Sequence, residues 1–214
     1  MDNTRQDFAK RSKELIAYVR FTIDVCEGKV NCPTSTKYEQ TQLEKTLKAS
    51  CYLLAYNLVE STARNLVQGV FDHISDNGIR FDDVIDKIKE FVISSLKKRS
   101  TEKFLEGMSQ IALDIFTNAL NAEDWFSGNV DARKLRDTAK KLGVNESIKQ
   151  SGDRLLTVKT SRNDLAHGHK SFMEVGGDIS VPDLIENTAS IIAYLRGVIR
   201  NFQSYISGQN YLRT

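Results

Sequence analysis

Two apolar series at helical spacing constrain this chain more than any other feature. Within residues 38–71, Leu43, Leu47, Cys51, Leu54 and Leu58 recur at steps of four and three. From Pro182 onward, Ile185, Ala189, Ile192, Leu195, Ile199, Phe202 and Ile206 sustain steps of three or four. A period near 3.6 gathers such residues on one side of an α-helix, whereas a half-buried strand needs a period of two. The two stretches therefore predict long helices, each with one face to bury. Pro182 suits the first turn of the second, where its missing N–H costs nothing.

The segments between read the same way. Residues 3–26 carry Leu15, Val19, Thr22 and Cys26 at helical spacing, and Gly28 with the NCPTST stretch at 31–36 stops that helix. Asp76, Asn77 and Gly78 make a turn. Residues 81–98 then predict a third helix, with Val84, Ile88 and Val92 on one side and Asp82, Asp83 and Asp86 near its positive end. Residues 101–120 predict a fourth, turning Phe104, Met108, Ile111 and Ile115 inward. Trp125 and Phe126 read as an apolar plug under a loop, residues 131–142 as a short charged peripheral helix closed by Gly143, and residues 155–158 as a brief extended piece.

No internal repeat or low-complexity tract divides the chain. The expected fold is all-α: one domain over residues 1–214, a bundle of long antiparallel helices with additional peripheral helices, and an inserted or peripheral region at about 76–150. At this length about 70% of the unfolded surface can be buried, so a core needs no staples. Cys26, Cys32 and Cys51 are odd in number and form no CxxC pair, which argues against a disulfide scaffold or a zinc site and fits a reducing compartment. The N-terminal segment lacks the apolar core of a signal peptide, and no stretch approaches the length of a membrane span, so a cytoplasmic protein is expected.

Thirty basic residues against twenty-eight acidic ones leave a net charge of +2, far from a surface held to nucleic acid by charge alone. Any such contact must be local. Residues 149–170 are the obvious locality: Lys149, Arg154, Lys159, Arg162 and Lys170 face only Asp153 and Asp164. The same stretch holds His167 and His169, two of the three histidines. Ser161 and Asp164 have the spacing of a capping box, which predicts a helix starting at Arg162, and Gly168 can turn the backbone away after His167. Asn163 and His167 share a helix face, but Arg162 and His167 stand about 140 degrees apart around the axis. One copy makes a loose site; a second copy across a two-fold axis would bring two arginines and two histidines into one cleft.

Histidine exchanges protons near neutral pH, and arginine keeps its charge and donates paired hydrogen bonds to phosphate oxygens. RNA carries its own nucleophile, the 2'-hydroxyl, so such a pair can cleave it with no metal and no cofactor. His167 can take the hydroxyl proton or protonate the departing 5'-oxygen, and Arg162 can stabilise the charge added at phosphorus. On spacing alone, a capping and ion-pair arrangement is the better reading of the cluster.

The RNxxxH pattern of Arg162, Asn163 and His167 resembles the signature of the HEPN superfamily, whose helical members include RNases of toxin-antitoxin, abortive-infection and RNA-processing systems. The chain looks like the MAE_28990/MAE_18760-like HEPN group in particular. The likeness runs through NLVESTAR at 57–64, DARKLRDTAKKLGV at 131–144, RNDLAHGHKSFMEVG at 162–176 and the final helix. It implies a bundle that dimerises around the signature, with a composite, metal-independent endoribonuclease site in which Arg162 and His167 are catalytic. Asn163 matches the signature's polar residue, with an orienting role.

Asn57, Glu60 and Arg64 lie at steps of three and four on one face of the second long helix, where Glu60 can orient Arg162 or His167 or pair with Arg64. Asp164 and His169 are supporting candidates, and Lys170, Lys159 and Arg154 are candidates for RNA phosphates. Phe202 fits helix packing better than base stacking, and Tyr205 and Tyr211 fit either. An antitoxin or associated defence protein is the partner the resemblance implies beside RNA. A non-catalytic RNA-binding or scaffold module is the competing function. No paired DxD or ExK cluster is tied to the histidines, which makes a metal nuclease a poorer fit.

Overall fold

The structure is a computed structural model and describes residues 1–96, 126 and 129–213. The predicted helix at 101–120, with Phe104, Met108, Ile111 and Ile115, lies outside the described residues, as does Trp125. Numbered over the described residues, the helices are α1 (Asp2–Cys26), α2 (Lys37–Asp76), α3 (Asp86–Leu96), α4 (Ala132–Leu142), α5 (Asp153–Ala166), α6 (Phe172–Gly177) and α7 (Val181–Ser207). The fold is all-α, as expected. One isolated antiparallel bridge, Val84 to Leu212, accompanies the helices among these residues.

Local sequence sets most of the helix ends. Thr36 and Glu39 form a reciprocal capping box at the start of α2, and Ser180 with Asp183 does the same for α7, with Pro182 in its first turn. Asp131 caps α4 through the Lys134 N–H, and Gly143, at φ +83°, ends it in the left-handed conformation that costs glycine least.

α1 and α2 run antiparallel: Thr4 Oγ1 donates to the Asn65 carbonyl at one end, and Cys51 Sγ to Thr22 Oγ1 at the other. α7 runs alongside α2 in the same sense. Lys48 Nζ reaches the Ile179 carbonyl, Asn187 Nδ2 the Tyr52 hydroxyl, and His73 Nε2 the Tyr211 hydroxyl, in ascending order along both segments. The core between these helices includes Leu15, Val19, Leu58, Val59, Leu66, Val70, Leu155, Val158, Ile191, Leu195 and Phe202, all buried. α6 closes over the first half of α2 so tightly that a Cβ on Gly176 would fall 1.8 Å from the Lys45 carbonyl oxygen.

Three expectations need correction, and one open choice is decided. The third helix begins at Asp86, because the backbone of residues 83–85 is engaged with the chain end: Ile85 N–H donates to the Tyr211 carbonyl and Arg213 N–H to that of Asp83. Residues 155–158 are helical, with Leu155 and Val158 buried three positions apart on the inner face of α5. On α7, Ile185 and Ala189 face solvent, and Leu184, Asn187 and Ile191 take the buried places. Phe202, Tyr205 and Tyr211 are all buried, with the Tyr205 hydroxyl donating to the Leu142 carbonyl, so none offers a ring to a base. Phe126 is buried, consistent with an apolar plug.

Candidate functional site

α5 carries the 162–167 cluster at its C-terminal end, not at a helix start. The Ser161 and Asp164 pair forms no capping box; Ser161 lies inside a helix that opens nine residues earlier at Gly152. Sequence spacing cannot separate a capping box from the same residues inside a helix when the preceding turn is itself apolar on one face. The helix ends on Gly168, at φ +68°. Gly168 N–H donates to the Leu165 carbonyl at 3.3 Å and His169 N–H to that of Asp164 at 2.8 Å, closing the last turn as a Schellman motif. A side chain at position 168 would be strained by that φ.

This turn separates arginine from histidine. Arg162 is half-buried and lies over the ring of Tyr56 on α2, 5.2 Å from the guanidinium carbon to the ring centroid. Its Nη1 donates to Asn163 Oδ1 at 3.1 Å, and the Asn163 amide in turn donates to Asn129 Oδ1 at 3.0 Å. His167 is exposed at the helix end, with the exposed His169 ring beside it at 5.7 Å between centroids. His169 Nδ1 stands 4.0 Å from Asp164 Oδ1. Among the described residues no hydrogen bond or ion pair joins Arg162 to His167.

Beneath Arg162 lies a polar patch contributed by α2. Glu60 accepts from Arg64 Nη2 at 2.6 Å, and the same nitrogen donates to the Phe126 carbonyl at 3.0 Å. The structure thus pairs Glu60 with Arg64, not with Arg162 or His167. Asn57 is exposed. Tyr56 was not singled out from the sequence, although it precedes Glu60 by four residues and Arg64 by eight, and so belongs to the same helical stripe. It is fully buried, and its hydroxyl accepts from the Val130 N–H at 3.1 Å. Burial pushes the Tyr56 phenol upward and Glu60 adds to this, while Arg162 and Arg64 oppose it; the phenol stays neutral. Asn129 was missed as well, since nothing in the chain places residue 129 against α5.

The positive charge of the 149–170 stretch is largely answered in space. Arg154 pairs with Glu186 at 2.5 Å, Lys159 with Asp131 at 2.5 Å, and Lys170 with Asp178 at 3.4 Å. The Lys159 pair is well covered, with side chains 20% and 17% exposed. Partial burial works to raise the Asp131 carboxyl, but Lys159 and the Lys134 N–H outweigh it, and the group titrates below the usual carboxylate range. Arg162 makes no ion pair among the described residues. It is the cation of the stretch that is both positioned and uncommitted to a carboxylate.

The RNxxxH segment thus lies at the C-terminal end of α5, followed by the short α6 and the long closing helix α7. The family model for MAE_28990-like HEPN proteins matches residues 1–211, and the chain belongs to that family. Membership points to nuclease activity in general, in a superfamily whose members often act as RNA-binding dimers with toxin or antitoxin partners. No curated protein and no solved structure matches the chain. Among the described residues no helix is long and apolar enough to cross a membrane, and no three His, Cys, Asp or Glu side chains gather as metal ligands.

Proposed function

We propose that the protein is a metal-independent endoribonuclease in which the end of α5 is half of a composite active site, completed by a second copy of the chain. The observation that carries this reading is the pairing of a positioned, uncommitted guanidinium on Arg162 with an exposed imidazole on His167 at one helix end.

The chemistry follows from these groups. The 2'-oxygen of a ribose attacks the adjacent phosphorus and the bond to the 5'-oxygen breaks, leaving a 2',3'-cyclic phosphate and a 5'-hydroxyl. One His167 takes the 2'-hydroxyl proton, and the partner's His167 delivers a proton to the departing 5'-oxygen. Arg162 donates to the non-bridging oxygens as charge accumulates there, a service a preorganised cation performs without reorganising. Asn163, fixed by Asn129, and Tyr56 orient Arg162; Asp164 and His169 support the exposed side of the turn; Glu60, Arg64 and Asn57 hold the α2 floor. Lys170 and Arg154 can exchange their exposed carboxylate partners for RNA phosphates at small cost. The whole chain acts as one unit, in a cytoplasmic toxin-antitoxin or phage-defence setting where an antitoxin or associated defence protein restrains it.

Incubating purified protein with single-stranded RNA in chelator tests this reading. Cleavage should be lost in Arg162→Ala and in His167→Ala while the dimer persists. RNA binding without cleavage by the unaltered protein, across a broad panel, would favour the non-catalytic module.

A further inference from the structure

The molecule has a second concentration of positive charge that the 149–170 stretch does not include. An open cleft of about 910 Å³ lies between α1 and α7. Arg5 and Lys13 line it from α1, Arg196 and Arg200 from α7, and Asp2 is the one acid among its lining residues. All four cations are exposed, and none makes an ion pair among the described residues. Their spacing is extended: Arg196 and Arg200 stand about 6 Å apart along α7, and Arg5 and Lys13 about 12 Å apart along α1. A single small anion would leave most of that charge unanswered.

The floor of the cleft adds an independent observation. Ser12, only 5% exposed, lines it with its hydroxyl lacking a hydrogen-bond partner, and Gln150 Oε1 is likewise buried and unpartnered. Unanswered polar atoms in buried positions are uncommon because such an atom forfeits its hydration and gains nothing in return. The Gln150 oxygen lies over Gly197, 3.3 Å from where a Cβ there would stand. A hydroxyl donor and an amide acceptor beneath a row of cations suit a phosphodiester strand, whose phosphate oxygens accept and whose 2'-hydroxyls donate. Phe8 is the cleft's one aromatic lining residue and is 7% exposed, so there is no platform for stacking bases.

The geometry points to the α1–α7 cleft as a sequence-independent binding site for the backbone of single-stranded RNA, distinct from the 162–167 turn. This rests on RNA being the substrate proposed above. The cleft holds and orients the strand, and the chemistry occurs elsewhere.

The test uses the full chain carrying Arg162→Ala and His167→Ala, so that RNA stays intact, and reads fluorescence anisotropy with a labelled single-stranded RNA over a salt series. Adding Arg196→Glu and Arg200→Glu should weaken binding at least about tenfold and flatten the log–log salt slope by about 1.4, two phosphate contacts at roughly 0.7 each. Ser12→Ala, which breaks no internal hydrogen bond, should weaken it by about two- to threefold. Arg80→Glu with Arg133→Glu, an equal charge change at exposed sites elsewhere, should have a much smaller effect. Equal loss from this control pair, or no loss from the cleft pair in a protein that still folds by circular dichroism, overturns the proposal. So does a cleft-dependent affinity for ATP or inorganic phosphate without one for RNA. Cleft-dependent binding by a protein that never cleaves RNA would sink the nuclease reading and leave the cleft standing; cleavage at subsaturating RNA that is indifferent to the cleft variants would do the reverse.

Discussion

The region around α5 and the cleft between α1 and α7 both carry an excess of positive charge, but they hold it differently. Around α5 the cations crowd together in sequence, and Glu186, Asp131 and Asp178 neutralise three of them from other parts of the fold. In the cleft, Arg5 and Lys13 lie nearly two hundred residues from Arg196 and Arg200, and none meets a carboxylate among the described residues. The difference teaches that charge along the chain is a poor guide to the field a ligand meets, which depends on what the fold sets opposite each cation. It also suggests a division of labour: one positioned arginine with a histidine for chemistry, four loose cations for holding.

The sharpest way to break that division is to separate turnover from binding. Arg162→Ala should lower single-turnover cleavage by about 10²–10³, the usual cost of losing one charge-stabilising donor, with RNA affinity changed little. Arg196→Glu with Arg200→Glu should lower affinity and leave the rate at saturating RNA near that of the parent. If both variants lose only affinity, the two regions do the same job.

The Lys159–Asp131 clasp sets the end of α4 against α5, so it should report on stability and not on RNA. Asp131→Asn should cost about 2 kcal/mol in denaturant unfolding at neutral pH, the range for a hydrogen bond to a charged group that also caps a helix. Because the folded carboxyl titrates below its ordinary value, the clasp contributes fully above the unfolded pKa of about 3.9 and is lost as pH falls through the folded value. The gap between parent and variant should therefore close in strong acid. A variant as stable as the parent at neutral pH would mean that the pair is held by its neighbours and contributes nothing itself.

Smaller effects sharpen the picture further. Tyr56→Phe keeps the ring under Arg162 and removes the acceptor for Val130, which should cost about 1 kcal/mol of stability and leave cleavage nearly intact. Tyr56→Leu removes the ring as well; a further fall in turnover at unchanged KM would identify the platform as a positioning element. Arg154→Ala should leave stability almost unchanged, since its pair with Glu186 is open to solvent. Thermal melts would register a larger contribution.

The helical class, α1, α2, α4 and the closing helix were legible because periodicity and caps are local properties. Gly143, Pro182 and the Asp76–Gly78 turn mark ends that the fold keeps. The misread and undecided parts depend on distant partners. Val84 leaves the helical pattern because residues 211–213 pair with its neighbours, and Tyr205 and Tyr211 are buried because Leu142 and His73 meet their hydroxyls. In the candidate site, Arg162, Asn163 and His167 were readable as a motif. Their place at a helix end, the Tyr56 platform and the Asn129 strut were not, since each needs two segments brought together.

The most direct test of the half-site is the chemistry of the ends it leaves. Single-stranded RNA should be incubated in chelator with the parent protein, with His167→Ala and with Arg162→Ala, each confirmed as a dimer by light scattering, and the products resolved by mass. The proposed site predicts 2',3'-cyclic phosphate and 5'-hydroxyl ends from the parent alone. Cleavage near the parent rate in either alanine variant, or parent cleavage that leaves 5'-phosphate ends, would contradict it.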